Sequence, residues 1–150
     1  MRRAVAAAVL VLALPGCSDN PSSETLTAAE WRREANEICR EIGPQVRAIR
    51  QPKALDAILP FTSAVIPLWK DEEERIRALL RPPELEAQAE ALADALAELN
   101  VSLLEIHIAT QRNDGTRRVD GIARGVSAAR TIKLTSRELR LPACRAQRIP

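Results

Sequence analysis

Leu85 to Gln111 reads LEAQAEALADALAELNVSLLEIHIATQ. Within it Leu85, Ala89, Leu92, Leu96, Leu99, Leu103 and Ile106 recur in alternating steps of four and three. A seven-residue apolar repeat keeps one stripe of a helix turned toward its neighbours. The run predicts a helix ~40 Å long, at ~1.5 Å rise per residue. Such a stripe is stable only when other helices cover it, so the flanking sequence has to supply them.

On the C-terminal side, Asn113-Asp114-Gly115-Thr116 has the composition of a turn. Arg117–Leu139 follows, with Val119, Ile122, Val126, Ala129 and Ile132 as its expected buried positions and Gly121 and Gly125 as points of close helix approach. On the N-terminal side, Arg81-Pro82-Pro83-Glu84 stops the preceding stretch, Lys53–Leu80. That stretch carries Leu55, Ile58, Leu59, Val65, Ile66, Trp69, Ile76 and Leu79 at helical spacing. Pro60 and Pro67 each remove a backbone donor, which predicts a kink or a division. Asp71-Glu72-Glu73-Glu74 reads as a solvated face, because consecutive helical carboxylates point in different directions. A further helix opens at Thr27-Ala28-Ala29-Glu30, the pattern of a capping box. It continues through Trp31, Ala35, Ile38, Ile42, Val46 and Ile49, with Gly43-Pro44 as an expected interruption. No strand-like alternation occurs. The fold class is therefore all-α: an antiparallel four-helix bundle over 27–150, its second helix kinked or split.

Residues before the bundle carry an address. Arg2 and Arg3 precede an apolar run, Ala4–Leu14, and Leu14-Pro15-Gly16-Cys17 closes it. A basic start, a short apolar middle and a small residue at the cut describe an export signal. The run is too short to span a bilayer, which takes ~20 residues. The pattern resembles a bacterial lipobox, which implies that 1–16 is a signal peptide and that Cys17 carries lipid, palmitate-type acyl chains included. Pro15 departs from the usual pattern, and plain secretion is the competing reading. Several acyl chains anchor stably where one is marginal. The expected location is the extracytoplasmic face of the cell membrane, with 17–26 as a flexible linker.

Two cysteines remain in the bundle, Cys39 and Cys144. In an oxidising compartment an isolated pair of this kind becomes a disulfide. A metal site is disfavoured, because two thiols and a single histidine, His107, lack zinc-ligand spacing. No metal and no cofactor are expected.

Residues 17–150 hold 20 basic and 20 acidic side chains, unevenly placed. Residues 17–111 have 10 basic and 17 acidic; residues 112–150 have 10 basic and 3 acidic. Two readings follow. Arg117, Arg118, Arg124, Arg130, Arg137 and Arg145 pair with acidic helices around Glu86, Glu90 and Asp94, or they form a basic face for anionic headgroups. Nucleic acid is excluded as a partner by export and by the lack of stacking platforms: no Tyr, one Phe, two Trp.

Ala35-Asn36-Glu37-Ile38-Cys39, Leu79-Leu80-Arg81-Pro82-Pro83 and Leu139-Arg140-Leu141-Pro142-Ala143-Cys144 together resemble uncharacterised small secreted or lipid-anchored helical proteins of actinobacteria. The resemblance implies a helical architecture with its cysteines paired, and no activity. Arg140 stands where that group commonly has Gly.

Catalytic signatures are missing from the sequence. There is no Gly-x-Ser-x-Gly, no Walker loop, no dinucleotide fingerprint, no repeated Glu-x-x-His and no haem-attachment motif. His107 reads as a surface or boundary residue. The expected role is a non-enzymatic, membrane-anchored interaction module meeting an envelope protein; the alternative is a helical carrier or sensor of a small apolar ligand. A lined cavity of a few hundred Å3 separates the second from the first.

Overall fold

The computed structural model describes residues 25–146. The expected signal segment 1–16, Cys17 and most of the 17–26 linker lie outside the described residues. The described chain is helical, with four long helices: α1 (Ala28–Ala48), α2 (Ile58–Ala78), α3 (Glu86–Gln111) and α4 (Gly115–Glu138), followed by a one-turn helix, α5 (Pro142–Arg145). No strand occurs among the described residues, and no helix there is long and apolar enough to cross a membrane.

The expected capping box starts α1. Glu30 N donates to Thr27 Oγ1 at 3.3 Å, and Thr27 N donates to Glu30 Oε2 at 2.9 Å. The hydroxyl of Thr27, and then its backbone amide, hold the Glu30 carboxyl below its ordinary value. Trp31, Ala35, Ile38, Ile42 and Val46 are buried on one face, as their spacing requires. Gly43-Pro44 does not interrupt α1, and Pro44 lies on its exposed side.

The expected stretch 53–80 is divided near its start, and at neither proline. A 3-10 turn, Leu55–Ala57, leads directly into α2. Pro60 falls in the first turn of α2, where a missing N–H costs nothing. Pro67 lies inside the helix on its exposed side, and α2 runs through it. Leu55, one of the apolar positions of that stretch, is exposed.

Neighbouring helices run antiparallel. Between α1 and α2, Glu41 meets Arg75 while Ile49 and Phe61 line a common cavity. Between α2 and α3, Glu73 meets Asn100 and Thr62 meets His107. Between α3 and α4, Ser102 lies at Gly125 and Ile106 at Gly121. The last pair packs most extensively, because a Cβ on Gly121 would lie 2.9 Å from Ile106 Cγ1 and one on Gly125 2.9 Å from Ser102 Oγ. Absent side chains let the two helices approach.

This approach decides which face of α4 is buried. Gly121, Gly125, Ala128, Ile132, Thr135 and Ser136 face inward. Of the large residues expected there, Ile132 alone is fully buried, while Val119, Ile122 and Val126 are 64%, 46% and 49% exposed. The small residues hold the contact, and Val119, Ile122 and Val126 lie about 100–160° around the helix from Gly121.

The turns at both ends of α4 are built by left-handed residues. Asn113, at φ 53°, ends α3, and Asp114 N donates back to Ala109 O at 2.8 Å. The Asp114 side chain then caps α4 by accepting from Arg117 N at 3.0 Å. At the other end Arg140, at φ 60°, takes the place usually held by Gly, and Leu141 N donates to Ser136 O at 2.8 Å. That turn sends α5 back between α4 and α1, on both of which it packs.

Candidate functional site

Two features with potential for binding or chemistry lie within the bundle: a polar cluster around Cys39 and Cys144, and an apolar cavity roofed by the α1–α2 connection.

Cys39 and Cys144 form the expected disulfide, with Cα atoms 4.9 Å apart. Both are buried. α5 is further held by Ala143 N, which donates to Asn36 Oδ1 at 2.9 Å, and the residue ending α4 by Arg32 Nε, which donates to Leu139 O at 3.1 Å. Leu141 is buried against the core, and Arg140 makes the turn that brings the second sulfur home.

Glu72 corrects the reading of the acidic run. It is buried, 1% exposed, with Oε1 3.3 Å from the Cys39 sulfur. The other three carboxylates serve surface pairs: Asp71 with Arg75, Glu73 with Arg77 and Asn100, Glu74 with Lys70. Donor atoms of Cys39, Glu72 and Cys144 lie within 4.8 Å of one another. The sulfurs are joined to each other there, and a disulfide lacks the thiolate that binds metal.

The cavity has a volume of about 250 Å3. Gln51 and Pro52 cover it; Ile58, Phe61 and Thr62 come from α2, Leu99, Ser102, Leu103 and Ile106 from α3, and Ile122 and Gly125 from α4. Its two hydroxyl groups are already engaged. Thr62 Oγ1 lies 2.9 Å from Ile58 O, and Ser102 Oγ donates to Leu99 O at 2.8 Å. A second cavity of about 420 Å3 adjoins it across Gln51 and Phe61, with Arg50 and Lys53 at its rim. Ile122 lines the mouth of the first cavity, and the exposed Val119 and Val126 extend its apolar surface along α4.

His107 stands at the boundary between α2 and α3. Its Nδ1 is 2.9 Å from Thr62 Oγ1, and its Nε2 is 3.0 Å from Gln111 Nε2. The Thr62 hydroxyl, which also donates to Ile58 O, and the Gln111 amide thus hold the ring at its two nitrogens. The single histidine thus links two helices beside the cavity.

The six C-terminal arginines do not form one common face. Arg124 pairs with Glu98 and Glu105 of α3, and Arg117 with Asp114 of its own helix cap. Glu90 and Asp94 take their partners from α2 instead. Arg77 lies 3.7 Å from Glu90 and 3.4 Å from Asp94, and Arg81 also binds Glu90. Arg75 likewise lies 2.7 Å from Glu41, and its hydrogen bond and charge hold that carboxyl below its ordinary value. Arg117 and Arg124 are two turns apart on one side of α4, and Arg130 and Arg137 share another. Arg137 and Arg145 come together near Arg140.

The cavity was foreshadowed only by the two prolines of α2, and neither lines it. It arises from the close α3–α4 contact at Gly125 and from the irregular 49–57 connection, and neither leaves an apolar period to read. Against protein-family models, curated proteins and solved structures, the chain gives no match.

Proposed function

We propose that this protein is a non-enzymatic binding protein of the cell envelope, held at the extracytoplasmic face of the membrane by lipid on Cys17, and that its bundle takes up a small apolar ligand. The cavity of about 250 Å3, lined chiefly by Leu, Ile, Phe and Pro, carries this reading. Ligand sites typically occupy ~300–1,000 Å3, so the occupant is small. At ~30 Å3 per water-sized group, the space suits an alkyl chain of about eight carbons. Because Thr62 and Ser102 already bond to backbone carbonyls, the ligand gains mainly from leaving water.

Burying about 200 Å2 of ligand surface at ~25 cal/mol per Å2 gives ~5 kcal/mol before the costs of association. That supports a carrier or sensor of modest affinity. Docking of an envelope protein is the second reading, favoured by the exposed Val119, Ile122 and Val126 on α4.

One assay separates them. N-phenyl-1-naphthylamine should fluoresce on mixing with the protein, octanol should displace it, and Ile122→Trp should abolish the signal by plugging the cavity mouth. Unchanged dye fluorescence rejects the cavity reading and leaves the α4 stripe. Intact mass of membrane-extracted protein tests the anchor: a diacylglyceryl addition at Cys17 is expected, and a soluble form starting elsewhere rejects it.

A further inference from the structure

Arginines without a salt-bridge partner gather at the end of the bundle opposite the apolar cavity. Arg137 in the last turn of α4, Arg140 in the reversal and Arg145 in α5 line one cleft of about 270 Å3 together with Ser136. None of the three forms an ion pair among the described residues.

The scaffold around them is firm. Arg140 is left-handed, Leu141 N is bonded to Ser136 O, and α5 is tied to α1 through the disulfide and through Asn36. Three arginines from successive segments thereby line one concavity, and like charges placed together there favour an anion.

Ser136 supplies a second and independent observation. It is fully buried, lines the cleft, and its hydroxyl has no hydrogen-bond partner among the described residues. A buried hydroxyl left unpaired costs free energy that an incoming acceptor relieves. One donor hydroxyl and three planar guanidinium forks match the oxygens of a phosphate better than a single carboxylate, which has fewer acceptors to share.

We propose that this cleft binds the headgroup phosphate of an anionic phospholipid, with Arg137, Arg140 and Arg145 as counter-charges and Ser136 as hydroxyl donor. Position argues for a lipid over a soluble phosphate, and this part rests on the lipid anchor proposed above. The cleft-bearing segment lies along the first turns of α1, through Arg32 and Asn36. Cys17 is ten residues before Thr27, at most about 35 Å of extended chain. Lipid on Cys17 therefore keeps the cleft within reach of the headgroup layer.

The test uses the chain from residue 17 onward with Cys17→Ser, so that no acyl chain supplies membrane affinity. Sedimentation with phosphatidylcholine vesicles, with and without phosphatidylglycerol, should show binding only when the anionic lipid is present. Each basic side chain near an anionic surface contributes a similar increment, so Arg137→Gln, Arg140→Gln and Arg145→Gln together should weaken binding about a hundredfold. Ser136→Ala, which changes no charge, should weaken it about fivefold.

Arg112→Gln, Arg117→Gln and Arg118→Gln remove the same charge at the other end of α4 and should change binding less than about twofold. Equal loss in both triple variants, or an unaffected Ser136→Ala, overturns the site in favour of diffuse attraction. Absence of vesicle binding at low salt overturns it outright. So does binding of glycerol 3-phosphate, seen as NMR shifts at Ser136, without vesicle binding. Dye uptake by the same preparation shows whether the apolar cavity survives a failure of the cleft.

Discussion

The two ends of the bundle are closed by different means. At one end α5 is held by a covalent bond, and the chain around it by Asn36 and by Arg32, over a core of Trp31, Leu139 and Leu141. At the other, the 49–57 connection has no side-chain cap at its 3-10 turn, leaves Leu55 exposed and roofs two adjoining cavities. Local opening takes least free energy where buried contacts are fewest. The contrast places stability at the cysteine end and room for a guest at the other.

The strongest way to break this contrast is to remove the disulfide. Cys39→Ala with Cys144→Ala frees a loop of sequence separation 105, for which the chain-entropy model gives ~4–5 kcal/mol. Urea unfolding should show that loss. Hydrogen exchange should accelerate in α5 and α1, while the 49–57 connection, already poorly buried, changes little. Equal acceleration at both ends would erase the distinction.

A smaller effect probes the open end. Gly121→Val places branched carbons against Ile106 and forces α3 and α4 apart, which should cost about 1–3 kcal/mol in urea unfolding. Dye binding should change as well, because Ile106 lines the cavity. Loss of stability with unchanged dye affinity would separate the glycine contact from the cavity.

The smallest effects belong to α1, which spans both ends. Thr27→Ala removes the cap and should cost about 1 kcal/mol. Glu30 and Glu41 both titrate below their ordinary 4.5 in the folded protein. Their contribution is fully present above the unfolded value and disappears as pH falls through the lowered folded values. Stability should therefore decline below about pH 4.5, and Thr27→Ala should flatten that decline. Both carboxylates are exposed, so the slope will be shallow and salt-sensitive.

Helices whose buried face carries the large residues were legible from sequence. α1 and α3 bury Trp31, Ile42, Leu92, Leu96 and Leu99 on the stripes that periodicity marks, and Thr27-Glu30 and Asn113-Asp114 act as their residue types predict. α4 was legible in extent and not in orientation. Hydrophobic periodicity weighs Val119 and Val126 above Gly121 and Gly125, whereas the closest helix pair is made by the residues with least side chain. Glu72 escaped for a related reason: four acidic neighbours look alike in sequence, yet helical geometry must turn one of them inward. The arginine cleft is invisible before the fold, since Arg137, Arg140 and Arg145 meet only because Arg140 adopts a left-handed turn.

The bond between Cys39 and Cys144 also makes a ring of the polypeptide. All of α2, α3 and α4 lie inside it, together with the connections between them. A protease cutting the exposed residues at 50–51 or 112–113 would open that ring without releasing a fragment, so the product would stay one disulfide-linked molecule whose two chains part only on reduction. Under the lipid anchor proposed at Cys17, only a cut outside the ring, before Cys39, would set the domain free. Survival in a protease-rich space and release from a surface would then be governed by different stretches of the same chain.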